Sequence, residues 1–299
     1  MTEIGTVITV YRGACEVVHD DRVLEIRLTG RHAEEELQLA VGDEVSFDAE
    51  RRVLDERLPR RTKLARLRPR GGRRQHDPRH EQVIAANVDR LAIVTSVADP
   101  PFRSGAVDRF MLAAAAGDLD TLLIVNKIDL LRGELPDEIA AYRDVLSVFP
   151  TSATERTGLE ELRAALADSR TVLAGHSGVG KSSLLNALEP ELRLETGAVR
   201  ERARKGRHTT THAVWLRLPG KAIVVDTPGV REIATGPVPP ELLDEVYPEI
   251  ARLAPDCRFR DCRHGREPAC AVRAAIERGE LHPGRLLSFG RLRDEIRPR

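Results

Sequence analysis

The stretch VLAGHSGVGKSSLLNAL, Val172–Leu188, runs from apolar residues through a glycine-rich loop into a segment with helical texture. Gly175, Gly180, Lys181 and Ser182 fill the G-x-x-x-x-G-K-[ST] pattern of a phosphate-binding loop. Glycines let successive backbone N–H groups face an anion at a helix N-terminus, where the helix dipole favours negative charge. The expected phosphate contact is the loop Gly175, His176, Ser177, Gly178, Val179, Gly180, Lys181 and Ser182, with Ser183 next to it. Lys181 would supply charge to the β- and γ-phosphates, and the Ser182 hydroxyl would ligate Mg²⁺. Ser183 reads as a helix residue and His176 as a variable loop position.

On both sides of this stretch, apolar strands alternate with helical segments. RLAIVTSV (Arg90–Val97), TLLIVNKIDL (Thr121–Leu130), TVLAGHSG (Thr171–Gly178) and KAIVVDTPG (Lys221–Gly229) read as strands. GAVDRFMLAAAAG (Gly105–Gly117), GLEELRAALAD (Gly158–Asp168) and KSSLLNALE (Lys181–Glu189) read as helices. Such alternation predicts an α/β domain, residues 83–236, with a mainly parallel sheet covered by helices.

A phosphate loop does not name a base, but NKID, Asn126–Asp129, does. The Asp129 carboxylate accepts two hydrogen bonds, matching the N1–H and 2-amino group of guanine, which adenine lacks. Lys127 would lie along the base, and Asn126 would hold neighbouring loops together. The turn TSA (Thr151, Ser152, Ala153) would offer the Ala153 N–H to the guanine oxygen. DTPG, Asp226–Gly229, ends a strand, so Asp226 would hold Mg²⁺ through water and the Gly229 N–H would sense the γ-phosphate. KGRHTTTH, Lys205–His212, supplies a threonine to close over Mg²⁺: Thr209 and Thr210 both qualify, and Thr210 is the preferred candidate. Val230 stands where many GTPases carry a water-orienting glutamine. Unassisted hydrolysis should therefore be slow, with His208 the candidate to replace the missing group.

These motifs make a complete GTP site in an unusual chain order, base before phosphates. The site depends on strand ends meeting in space, so joining the old termini and cutting elsewhere preserves it. The order predicts a circularly permuted P-loop GTPase.

Before this domain, GTVITVYRGACEVVH (Gly5–His19), RVLEIRLTG (Arg22–Gly30) and LAVGDEVSFDAE (Leu39–Glu50) read as short alternating strands. They predict a small antiparallel β-barrel of the oligonucleotide-binding (OB) type over residues 1–58. An arginine-rich run comes next, and residues 59–82 read as a basic linker fit to track an RNA backbone. The formal net charge of the whole chain is +0, so the case for a nucleic-acid partner rests on where charge sits. No apolar run suits a membrane span and the N-terminus lacks a signal pattern, which predicts a cytoplasmic, membrane-free protein, read as a monomer.

Residues 237–299 read as helical and carry three of the four cysteines. In CRFRDCRHGREPAC, Cys257, Cys262, His264 and Cys270 form a soft donor set suited to one structural, tetrahedral Zn²⁺. His282 is an alternative fourth ligand. Arg258, Arg260, Arg263 and Arg266, interleaved with the ligands, would give this zinc-binding domain a basic surface.

The chain resembles the family of ribosome small-subunit-dependent GTPase A (RsgA) proteins. The resemblance rests on VGDEV (Val41–Val45), RRT (Arg60–Thr62), AANVD (Ala85–Asp89), DRFMLAAAAG (Asp108–Gly117), NKIDLL (Asn126–Leu131) and the phosphate loop. It continues through TGAVRE (Thr196–Glu201), KGRHTTTH, DTPGVRE (Asp226–Glu232) and the cysteine cluster. It implies a circularly permuted GTPase between an RNA-binding barrel and a zinc domain. Its expected role is late maturation of the small ribosomal subunit, with that subunit and its rRNA as partners and as the stimulus for hydrolysis. The competing expectation is a GTP-dependent signalling or adaptor protein acting on a protein partner.

Overall fold

A computed structural model of the chain describes residues 2–29, 38–67, 81–192, 214–226 and 238–296. Strands β1 (Thr2–Tyr11), β2 (Ala14–His19), β3 (Arg22–Arg27), β4 (Glu44–Asp48) and β5 (Val53–Arg57) close a barrel in the order β1-β2-β3-β5-β4, and β4 returns to β1. Alternate side chains point inward, so Val7, Cys15, Val17, Ile26, Val45, Phe47 and Leu54 fill the interior. The antiparallel expectation needs one correction, because β3 and β5 pair in parallel at Arg27 and Val53. A closed ring with an odd number of strands cannot alternate direction all the way round.

Residues 59–82, read from the sequence as a basic linker, contain more order than that reading allowed. Strands β6 (Lys63–Leu67) and β7 (Glu81–Ala86) pair antiparallel, with Leu64 and Ala85 fully buried. Several cations of the run are engaged internally. Arg60 is bonded to the buried Asp43 at 2.6 Å, Lys63 to Glu81 at 2.7 Å, and Arg66 Nη2 to Gln82 at 3.0 Å. The rest of the run, residues 68–80, lies outside the described residues. The β6–β7 pair is also fastened to the barrel side: Val41 bridges Ala85, and Asn87 Nδ2 donates to Gly42 O at 3.0 Å.

The central sheet contains β8 (Arg90–Ser96), β9 (Asp120–Asn126), β10 (Ser147–Pro150), β11 (Arg170–Ala174), β12 (Val214–Arg217) and β13 (Ile223–Asp226), in the order β10-β9-β8-β11-β13-β12. All neighbours are parallel except β12 with β13. Successive residues serve opposite faces. Ala92, Val94, Leu122, Ile124, Leu173 and Val224 pack against helices α3 (Leu159–Leu166) and α4 (Lys181–Leu188). Leu91, Ile93, Leu123, Val125 and Val172 pack on the other side against α1 (Ser104–Ala115), and Tyr142, just beyond α2 (Asp137–Ala140), joins them. Helix α1 buries Val107, Phe110, Met111 and Leu112, each contributing about 1.5–3 kcal/mol relative to exposure.

The C-terminal region contains α5 (Leu242–Val246), α6 (Pro248–Leu253), α7 (Ala271–Glu277) and α8 (Pro283–Ile296). It shares a core with the α1 side of the sheet, since Leu243, Val246, Tyr247, Ile250, Val272, Leu292 and Ile296 join the same cluster as Val107 and Phe110. No helix among the described residues is long and apolar enough to cross a membrane. The chain lays down β8, β9 and β10 in one direction, then returns to place β11 on the other side of β8. Loops leaving β8 and β11 therefore diverge and open a crevice at the C-terminal strand ends, where open α/β sheets bind ligands.

Candidate nucleotide site and metal centre

The phosphate loop leaves β11 at Gly175 and enters α4 at Lys181. Two glycines in it are required by close approach. A Cβ on Gly175 would lie 2.1 Å from Val94 O, and one on Gly180 would lie 2.4 Å from Asn126 Nδ2; both residues have positive φ. Lys181 Nζ spans the loop from inside, donating to Gly175 O at 2.6 Å and to His176 O at 3.0 Å. Ser182 follows in the first turn of α4, and Ser183 continues that helix.

Asn126, at the end of β9, is 1% exposed and joins the loops. Its Nδ2 donates to Val179 O at 2.9 Å, inside the phosphate loop, and its Oδ1 accepts the Ala153 N–H at 3.2 Å. The Ala153 amide, assigned from the sequence to guanine, is thus turned toward Asn126. Ser152 is fully buried, donates to Asp129 Oδ1 at 2.6 Å and accepts the Glu155 N–H at 3.0 Å. One oxygen of Asp129 is therefore oriented by Ser152, and the half-buried carboxylate sits beside the Ala153 turn. Lys127 has a left-handed backbone (φ 65) and its ammonium donates to the Asp99 carbonyl.

Asp226 ends β13, with its backbone in register with Leu173 of β11, two residues before Gly175. His208, Thr209, Thr210, Gly229 and the Asp226 side chain lie outside the described residues. Sequence reasoning missed one part of the site, the loop from β8 to α1. Pro100, Pro101, Arg103, Ala106, Val107 and Phe110 wall a cavity of about 260 Å³ whose other side is Gly175, His176, Ser177 and Val179. The only available signal was the Pro100–Pro101 pair shortly after a strand.

The second cluster lies between α6 and α7. Ligand atoms of Cys257, Cys262, His264 and Cys270 all fall within 4.8 Å of one another. His264 Nδ1 is 3.6 Å from Cys257 Sγ and 3.4 Å from Cys270 Sγ, and these two sulfurs are 3.9 Å apart. Zn–S bonds of about 2.3 Å in a tetrahedron put sulfurs about 3.8 Å apart, so the cage fits Zn²⁺. Desolvation, with the neighbouring Cys270 and Cys257 thiols, pushes the Cys262 thiol up to about 11, so a cation is needed for it to serve as thiolate. Burial, reinforced by Arg293, holds the His264 pKa below its usual value and favours the neutral imidazole that a metal binds. His282, the alternative fourth ligand, is used elsewhere: its Nδ1 accepts the Gly284 N–H at 3.1 Å at the start of α8.

Comparison with known proteins agrees with this fold. The RsgA GTPase family model matches residues 57–236. A Small ribosomal subunit biogenesis GTPase RsgA from Chlorobaculum tepidum is 38% identical over 307 residues, covering 98% of both chains. One of the same name from Gemmatimonas aurantiaca is 40% identical, covering 87% of this chain and 85% of its own. Among solved structures, YjeQ from Thermotoga maritima superposes with a TM-score of 0.75 at 29% identity, covering 100% of both chains. YloQ, described as a circularly permuted GTPase, gives 0.69 at 29% identity over 100% of this chain and 97% of its own.

Proposed function

The chain belongs to the RsgA GTPase family, and from that premise we propose that it hydrolyses GTP to GDP and phosphate on the small ribosomal subunit, assisting a late step in that subunit's maturation. The observation that carries the nucleotide half of this reading is the Asn126 side chain, which binds the phosphate loop and the Ala153 turn together. It makes one site of motifs that chain order separates. The ribosomal half rests on the relatives' names.

In this reading Asp129, oriented by Ser152, accepts the two guanine donors, and Lys127 lies beside the base. The phosphate loop N–H groups and Lys181 hold the phosphates, and Ser182, Thr210 and Asp226 would hold Mg²⁺. These oxygen donors suit a hard cation, which when bound neutralises charge on the β- and γ-phosphates. Gly229 senses the γ-phosphate, and His208 orients the attacking water in place of the glutamine that Val230 displaces. Zn²⁺ in the cysteine–histidine cage is structural, since four protein ligands leave no open position. The barrel and the zinc region hold rRNA from two sides, and the protein acts as a monomer in the cytoplasm.

In the sequence, DTPG is followed within about a dozen residues by the C-terminal helices, so loss of the γ-phosphate should alter the grip on the subunit. Co-sedimentation with purified small subunits tests this. The form bound to a non-hydrolysable GTP analogue should pellet with small but not large subunits, and the GDP form should bind more weakly. Equal affinity of the two forms contradicts the switch, and equal affinity for the two subunits contradicts the assignment.

A further inference from the structure

Helix α1 touches the central sheet, strand β6 and the C-terminal helices. Near its start, Ala106, Val107 and Phe110 wall the cavity opposite Gly175, His176, Ser177 and Val179 of the phosphate loop. Beyond its end, Gly117 O accepts the N–H of Lys63 in β6 at 3.1 Å, in the hairpin that joins the barrel. Between these points it is tied to the C-terminal helices by charge. Asp108, fully buried, accepts hydrogen bonds from Arg285 Nη1 at 2.7 Å, from the Tyr142 hydroxyl at 2.8 Å and from the Ser288 hydroxyl.

Arg285 is 3% exposed and has every edge occupied. Its Nε donates to Glu249 at 2.7 Å and its Nη2 to Val246 O at 2.8 Å, and its guanidinium lies over Tyr142 at 4.7 Å and Tyr247 at 4.4 Å. Burial works against its charge, yet the carboxylates of Asp108 and Glu249 raise its pKa above the ordinary arginine value. Beside Asp108, Arg109 Nη2 pairs with Glu295 of α8 at 2.7 Å.

Adhesion alone does not call for such a network, since well-packed apolar residues hold elements together as well or better. What buried charges add is intolerance of displacement. Sliding α8 along α1 would strand Asp108 and Arg285 in apolar surroundings, so α1 and the C-terminal helices are bound to move as one body. A force that reseats these helices must then move the wall facing the phosphate loop.

We propose that Asp108 and Arg285 are positioning residues for partner-stimulated GTP hydrolysis only, coupling the seating of the C-terminal helices on a macromolecular partner to the placement of α1 against the phosphate loop. This rests on the functional reading above in taking the partner to be the small ribosomal subunit. Stimulation by the partner then depends on this network, and basal hydrolysis does not.

The test measures GTP turnover by the full chain with and without small subunits, for the natural protein, Asp108→Asn and Arg285→Lys. Asparagine keeps the shape without the charge, and a lysine ammonium cannot serve Asp108, Glu249 and Val246 O together. At saturating subunit, the stimulated kcat should fall by about tenfold or more. Basal turnover, GTP affinity and the subunit concentration for half-stimulation should stay within about twofold. Stimulated kcat equal to that of the natural protein, or a change confined to the half-stimulating concentration, overturns the proposal. If the natural protein is not stimulated at all, the functional reading fails and takes this inference with it.

If a variant fails to fold, amide exchange on the natural protein decides. Binding of small subunits should change exchange in Val107–Ala114 and in Gly175–Val179 together with α5, α6 and α8. Protection confined to the C-terminal helices overturns the proposal.

Discussion

Asp129 and Ser152 show how a site residue is tuned by a neighbour. The Ser152 hydroxyl fixes one carboxylate oxygen at 2.6 Å, and both members are shielded from solvent to different degrees. Asp129→Asn replaces an acceptor with a donor toward the guanine 2-amino group. GTP affinity should fall by about a hundredfold or more, while xanthine nucleotides, which carry a carbonyl there, should bind better. Equilibrium binding of fluorescent guanine and xanthine nucleotides checks both directions. Gly175→Ala should be worse tolerated than its size suggests. The methyl group would press on Val94 O at 2.1 Å from a strained backbone, costing about 2–4 kcal/mol in denaturant melts. At this scale the motifs were legible because the chemistry proposed for them constrains residue identity: a carboxylate such as Asp129 would suit guanine, and Lys181 with the glycines would suit phosphate. Asp108 and Arg285 were not. Each reads alone as an ordinary polar helix residue, and only the fold brings positions so distant in sequence to 2.7 Å.

Among the elements, strands β8, β9, β11 and β13 and helices α1, α3 and α4 stood out through apolar runs and helical periodicity, while the short strands β10 and β12 did not. The hairpin β6–β7 did not, because its arginines and lysine mimic a solvated basic run. The structure pairs Lys63 with Glu81 and Arg66 with Gln82, which turns the same residues into cross-strand contacts. The cysteine region was legible in composition and also in ligand choice, since His264 lies within the cage and His282 caps α8. Native mass spectrometry should find one zinc per chain and none in Cys257→Ser. Because structural zinc contributes apparent binding energy on the order of 10 kcal/mol, its loss should lower the melting temperature by about 15 °C and loosen α6 and α7. Full zinc occupancy in that variant would contradict the assignment. Metal removal should also weaken the seat of α8, as His264 packs against Phe289 at 5.9 Å.

Across the whole molecule, chain order and spatial order diverge. The strand order β10-β9-β8-β11-β13-β12 brings the base loop after β9 and the phosphate loop after β11 to one end of the sheet, on either side of β8. The motif sequence was enough to predict that permutation, because each motif needs a strand end and not a place in the chain. How the parts adhere was beyond it. The C-terminal helices share the core of α1 instead of standing apart, a property of packed faces that linear spacing does not encode. We propose that this permuted site is a GTPase answering to the small ribosomal subunit. The most direct test is phosphate release from GTP and from ATP by the full chain, alone, with small subunits and with large subunits. Release from GTP alone should be slow, small subunits only should stimulate it strongly, and ATP should not be turned over. Stimulation by neither subunit, or equal stimulation by both, would contradict the proposal.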